Sequence, residues 1–430
     1  MKKLLSLLMV AVLALSLVAC SNEPAKEEMA APETVEITVQ AETPWLAVYE
    51  RAAYRVMLNN PDAKIIIKET GSFDNLDLID STDATNPDVT DVFAIPADRM
   101  YGLAENFVLA SLPAKEMANN IGGFGDYDAG LGGLLQIDGD YLAFPMNIET
   151  LITFTNTANA ATKGIDLSQP VELTTADANT VLIPLWNTWF GVAMTNSADI
   201  EMLGMNEDGT FFSDLTKDFA DLTAEQQGLF EALFAYYQAH QDIESPVFTD
   251  DVWGYMDNNF KTGGENVLRI EGPWSTNGLL GHAGEDMGLA PIGEVTINGL
   301  PLKHWKGGWG FAVNSRIEED AAKMALAQEF IQEIMNPTFA PDWFEAAGKI
   351  IPNAPADAFE ALDQLEQDVI ASVYASYDAA PNRPLFKEWG NVWGTWENAM
   401  KSWPSVKPAT AEDAYNEVKA AFDAMMSQLQ

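Results

Sequence analysis

The chain has three histidines, one cysteine and twelve tryptophans among 430 residues, and the chemistry open to it is bounded by where these fall. His240, His282 and His304 are far apart and match no metal-ligand spacing, so each reads as a surface or packing residue. There is no nucleophile elbow and no glycine-rich phosphate loop. The acidic runs DNLDLIDSTD (74–83) and NEDGTFFSD (206–214) do not place carboxylates and glycine at EF-hand spacing, and they read as solvated acidic surface. No metal and no cofactor is expected. A pair of carboxylates for glycoside hydrolysis stays open, because their separation is spatial and no sequence spacing encodes it.

The tryptophans offer a different chemistry. They fall mostly in loops and at element ends, in PWLAVYE, PLWNTWFG, DVWGYM, EGPWST, KHWKGGWG and PDWFE. Strand ends and the turns after them are where α/β proteins gather ligand contacts. A pyranose has one face of C–H groups that packs flat on an aromatic ring, and a rim of hydroxyls that needs paired donors and acceptors. The run FKEWGNVWGTWENAMKSW (386–403) holds Trp389, Trp393, Trp396 and Trp403. One helix over 384–403, ended by Pro404, would put all four on a stripe about 80° wide. Gly390 and Gly394 beside the stripe each cost about 0.8–1 kcal/mol against Ala, which argues against a purely structural helix. The run therefore divides into a ligand-facing end at Trp389 and Trp393 and a buried end at Trp396 and Trp403.

The elements that must position these residues alternate between strand and helix. VEITVQ reads as a strand, PWLAVYERAAYRVM as a helix with Pro44 at an early position, and KIIIKE and DVFAI as further strands. ADRMYGLAEN follows as a helix, and YLAFPMNIETLITFTN reads as two strands in succession. TAEQQGLFEALFAYYQAHQ is an amphipathic helix capped by Thr223, VLRIEG is a buried strand, and Asn298-Gly299 marks a hairpin in VTINGLPL. After GGWGFAVNS the chain is almost wholly helical. This order predicts an α/β fold with largely parallel sheets, and the length predicts two lobes. With 64 acidic residues against 23 basic ones, a net charge of −41 repels phosphate backbones, so nucleic acid is not an expected partner.

The N-terminus MKKLLSLLMVAVLALSLVAC is built as a secretory signal, and LVAC resembles the lipobox of bacterial lipoproteins. The resemblance implies cleavage of residues 1–19, lipidation of Cys20 and anchoring to the bacterial cell membrane from outside the cytoplasm, with 20–34 as a flexible tether.

The order of the lipobox, DVFAIPADRMYGLAEN, DGDYLAFPMNIETLITFTN, VLRIEGPWSTNGLL and GGWGFAVNSRIEEDAAKMALAQEFI resembles that of extracellular solute-binding proteins. It is most similar to the maltose/maltodextrin-binding branch, over about residues 35 to 430. The resemblance implies a two-lobed periplasmic-binding-protein-like fold, with lobe one at 35–147 plus 311–366 and lobe two at 148–306 plus 367–430. Hinges would lie near Asn147 to Glu149, Gly307 to Gly310 and Asp368. It further implies a monomer that binds an oligosaccharide in the cleft and delivers it to the permease of an ABC importer, without being an enzyme. Carried over residue by residue, Asp98 and Arg99 match an Asp-Arg pair that binds hydroxyls, and Glu149, following Phe144, matches a carboxylate at the first crossing. Glu42 stands where the family has an Asp, with Thr43 in place of the adjacent lysine. Trp189 replaces a stacking tyrosine, and Asn187 stands in place of a glutamate. Trp274 in the Gly-Pro-Trp turn is the closest match. Ile95 replaces a cleft tryptophan, whose surface is lost or moved to Trp45, and the family's late stacking tryptophan aligns with Gly390, next to Trp389. A surface glycosidase, a solute-binding protein for a cationic ligand and a polysaccharide-capturing adhesin remain alternatives.

Overall fold

VEITVQA forms strand β1 (Val35–Ala41), with Ile37, Val39 and Ala41 fully buried. A short 3-10 turn, Thr43–Trp45, with Pro44 at its start then opens helix α1 (Leu46–Asn59). The computed structural model describes residues 34–174, 177–206, 208–355 and 357–429. The leader, Cys20 and all but the last residue of the tether lie outside the described residues.

Strands β2 (Ala63–Glu69) and β3 (Val92–Pro96) flank β1 and run parallel to it. The expected pair of successive strands is β4 (Phe144–Glu149) and β5 (Ile152–Asn156). Only Thr150 and Leu151 separate them, yet they enter different sheets. Strand β6 (Val181–Leu182), helix α2 (Thr188–Ser197), helix α3 (Ala224–Asp242) and strand β7 (Leu268–Glu271) follow, and then helix α4 (Thr276–Ala283) and strand β8 (Met287–Pro291). Thr223 caps α3 in a reciprocal capping box with Gln226, as the sequence predicted. Asn298 and Gly299 both have positive φ, of 51° and 73°, at the hairpin turn.

Strand β9 (Gly307–Val313) closes the first sheet, whose order is β2-β1-β3-β9-β4. Here the expectation of largely parallel sheets is corrected, because β9 runs antiparallel to both β3 and β4. The second sheet, β8-β5-β7-β6, is antiparallel except where β7 meets β6. Helix α5 (Ala321–Ile334) packs with α1 over the first sheet, and helix α6 (Ala340–Ala347) lies against the 3-10 turn of Trp45. Helix α7 (Gln364–Ala379) packs on β8. Asp368, expected near a crossing, is therefore inside a helix. Gly308 and Gly310 serve close strand packing: a Cβ on Gly308 would stand 2.7 Å from the Asn147 carbonyl oxygen, and one on Gly310 would stand 2.8 Å from Leu135.

Helix α8 (Gly390–Val406) corrects the expected 384–403 helix at both ends. Pro384 and its neighbours are irregular, and a 3-10 turn at Lys387–Trp389 leads into the helix. Pro404 lies inside the last turn; the helix stops at Lys407, whose φ of 55° is left-handed and whose N–H donates to the Trp403 carbonyl. Trp396 and Trp403 are completely buried, as expected, against α2 and helix α9 (Ala411–Leu429). The Trp396 Nε1–H donates to the Leu185 carbonyl at 2.9 Å, and its ring edge fits over Gly191, where a Cβ would stand 2.3 Å away. Trp396→Ala is expected to cost about 3–5 kcal/mol of unfolding free energy, read by denaturant titration. Gly191→Ala should destabilise the same contact.

A cleft walled by tryptophans

Between the two sheets lies a cleft of about 1230 Å³. Ten of the eleven residues singled out from the sequence as ligand contacts line it: Glu42, Trp45, Asp98, Arg99, Glu149, Asn187, Trp189, Trp274, Trp389 and Trp393. Phe144 does not. It is fully buried at the far end of β4, edge-on to Phe124 at 5.6 Å. Five residues of strand, about 17 Å, separate it from Glu149 at the cleft end.

One wall follows from the ends of β1, β3 and β9. Trp309 projects from β9, and its Nε1–H donates to both oxygens of Glu149 at 3.1 Å. Lys349 follows Gly348, which ends α6 in the left-handed conformation; its Nζ lies 5.0 Å from the Trp309 ring centre, 5.6 Å from that of Trp45 and 4.0 Å from Glu149. Trp45 is mostly core, stacked at 17° on Tyr49, and shows the cleft only an edge. The Phe73 ring packs edge-on to Trp309 at 5.5 Å and is itself 57% exposed. Glu42 accepts from the Ser72 N–H at 3.2 Å, and Arg99 pairs with Asp80 at 2.5 Å.

The other wall is a group of indoles. Asn187 caps α2 by accepting from the Trp189 N–H at 3.1 Å, which fixes where the Trp189 side chain departs. Trp189 stacks at 24° on Trp393 from α8, and Trp305 packs edge-on to Trp389 at 4.8 Å. Trp274, 42% exposed, leans on Trp189 at 6.4 Å. His304 sits under this group with its ring 4.2 Å from Trp189, and its Nε2 is 2.8 Å from the Trp189 carbonyl, so that nitrogen carries the proton and donates.

Arg383 joins the walls. Its guanidinium carbon lies 5.3, 5.2 and 5.7 Å from the ring centres of Trp189, Trp305 and Trp393, and its Nη2 reaches Asp98 at 2.8 Å. Sequence reasoning missed it, together with Lys349, Trp305 and Trp309. The available signal was Pro384, which holds the preceding residue extended and so keeps Arg383 out of a helix.

Four polar atoms in this cleft are buried and have no protein partner: Asp98 Oδ1, Arg383 Nε, Trp189 Nε1 and Trp389 Nε1. Such atoms are costly unless something supplies the missing hydrogen bonds. Three ion pairs stand in the cleft, Asp98 with Arg383, Arg99 with Asp80 and Glu149 with Lys349, while Glu42, Glu345, Asp363 and Glu366 line it without a cationic partner among the described residues. The site offers aromatic faces, hydrogen-bonding capacity and more carboxylates than cations. Among the described residues no group of His, Cys, Asp or Glu could hold a metal ion, and no helix is long and apolar enough to cross a membrane.

Two α/β lobes around an aromatic cleft make up a fold shared with solved structures of low sequence identity. More narrowly, the fold is that of the maltose/maltodextrin-binding proteins. No protein-family profile matches the chain, and no curated protein does. Among solved structures it is similar to MalX from Streptococcus pneumoniae in complex with maltopentaose, with TM-score 0.68 and 17% identity over 90% of this chain and 99% of that one. It is also similar to the maltose-binding protein MalE from Listeria monocytogenes in complex with maltose, with TM-score 0.66 and 18% identity over 91% and 98%. A third is the GacH receptor of Streptomyces glaucescens, described unliganded and with acarbose, with TM-score 0.65 and 16% identity over 92% and 99%.

Two predictions follow from the site geometry. Burial pushes the His304 pKa down to about 3, with the Trp189 carbonyl opposing and the Arg383 charge adding to the shift. The unfolded chain binds this proton near the ordinary 6.5 and the folded chain does not, so the stability is fully present above pH 6.5 and is lost as pH falls toward 3. The thermal midpoint should drop over that window, and His304→Gln should flatten the drop. Asp98→Asn leaves the Arg383 charge buried and unpaired, which costs about 3 kcal/mol or more. A larger radius of gyration in small-angle scattering is expected for this variant, with recovery in Asp98→Asn/Arg383→Met.

Proposed function

We propose that the protein is an extracytoplasmic solute-binding protein that captures a neutral oligosaccharide in this cleft and hands it to the permease of an ABC importer. The observation that carries the reading is the set of four orphaned polar atoms at aromatic faces, two of them on the ion pair that joins the walls. A pyranose hydroxyl both donates and accepts, so one hydroxyl can serve Asp98 Oδ1 while its neighbour serves Arg383 Nε. An anionic ligand would meet an excess of carboxylates in the lining, and a purely apolar one would leave the orphans unmet. Glu42, Trp45, Asp98, Arg99, Glu149, Asn187, Trp189, Trp274, Trp389 and Trp393 are the contacts assigned to the ligand, with Trp274 as the exposed stacking platform opposite Phe73 and Trp309.

Capture by two walls suits delivery. A ligand that touches both lobes only when they approach shifts the population toward the closed form, and a permease can read that shape. Acylation at Cys20 would hold the protein at the outer face of the membrane, and the protein acts as a monomer in this scheme.

Titration calorimetry against maltooligosaccharides, with tryptophan emission followed in parallel, tests the reading. Heat with sugars and an unchanged ligand by mass spectrometry are expected. Shortened products would make the protein a glycoside hydrolase, and heat with spermidine alone would make it a binding protein for cations. Trp274→Ala should cost about 2–4 kcal/mol of binding with little change in melting temperature. A large fall in melting temperature with unchanged affinity would assign Trp274 to the core instead.

A further inference from the structure

A second cavity, of about 540 Å³, lies on the opposite side of helix α4 from the cleft. The helix is the partition: Thr276, Asn277 and Leu280 face the cleft, whereas Gly278, Leu279 and His282 line the second cavity. Trp274, just before the helix, borders both. The floor of the cavity is charged and buried. Arg269, 4% exposed on β7, pairs with Asp257 at 2.5 Å and with Glu271 at 3.4 Å. The His282 Nε2 stands 3.8 Å from Asp257. Trp253 and Phe190 make an aromatic corner, with ring centres 5.7 Å apart at 57°.

Ion pairing alone does not account for this arrangement, because Arg269 Nε is buried with no partner although the residue lines the cavity. Its charge is already met by two carboxylates, so an anion would have to displace one of them. A neutral polyhydroxyl ligand fits better: a hydroxyl accepts from Nε, another donates to Asp257, and the C–H face of the ring rests on Trp253. Gly278 keeps the space clear, since a Cβ there would meet nothing within 4 Å.

We infer that this cavity is a second sugar subsite, which takes a pyranose unit of a chain that continues past the rim of Trp274 out of the main cleft. The inference rests on the oligosaccharide reading and extends it to a preference for longer chains. One more stacked and hydrogen-bonded unit corresponds to about tenfold in affinity.

Calorimetry on the mature chain with the linear series from maltose to maltoheptaose tests it, using Trp253→Ala and Gly278→Leu. The second variant enters the cavity from a helix position whose added Cβ would meet nothing within 4 Å, which covers the case in which Trp253→Ala fails to fold. The wild type should gain about tenfold on the longest members over the short ones, and both folded variants should lose that gain while binding the short members unchanged. A wild-type series that is flat with length, variants that keep the gain, or variants that lose every length equally would each overturn the subsite and leave the main cleft standing. A wild type that binds no member of the series would overturn the oligosaccharide reading itself.

Discussion

The Asp98–Arg383 ion pair is the contact on which the arrangement of the cleft depends. Asp98 follows β3 of the five-stranded sheet, and Arg383 comes from the irregular segment leading into α8, whose tryptophans belong to the core around the other sheet. Removing two such charges from water costs several kcal/mol per ion, and an isolated pair would not offset it. Here the guanidinium also lies over three indoles, whose negative faces add to the attraction and exclude water from it. The indoles in turn need support, and His304 and Asn187 supply it from behind Trp189. Histidine can do so only while neutral, so the wall and the protonation state of one buried ring are tied together.

The opposite wall solves the same problem with lysine. Lys349 lies between Trp309 and Trp45 and near Glu149, while Glu149 is fixed by the Trp309 indole. Each wall thus holds one cation on aromatic rings, Lys349 balanced by Glu149 of its own wall and Arg383 by Asp98 of the facing one. The net acidity of the chain extends into the cleft, whose lining holds more carboxylates than cations, but at the two caged cations the charge is met locally and what is left over there is hydrogen-bonding capacity.

Much of the fold was legible in the sequence because its signals are local. Alternation marked β1, the capping box marked α3, and Asn298-Gly299 marked its hairpin. The ends of α8 were not legible: Pro404 reads as a stop, but the last turn tolerates it when a left-handed residue beyond completes the end. The site divided in the same way. Trp274, Trp189 and Asp98 stand at strand or helix ends and could be picked out. Arg383 could not, since its cage is assembled from Trp189, Trp305 and Trp393, which come from distant parts of the chain. Phe144 was put forward with Glu149 from the resemblance at the first crossing, but it begins the strand that Glu149 ends and so stands away from the cleft.

The closeness of Trp189, Trp305, Trp389 and Trp393 has an optical consequence. In five of their six pairs the ring centres are 4.8 to 6.4 Å apart, near enough for the transition dipoles of neighbouring indoles to couple and for excitation to pass among them before emission. The near-ultraviolet dichroism of the protein then belongs to the group and not to any one ring, and its sign and strength follow the mutual angles of the rings. A small rotation anywhere in the wall is written into a spectrum that needs no label.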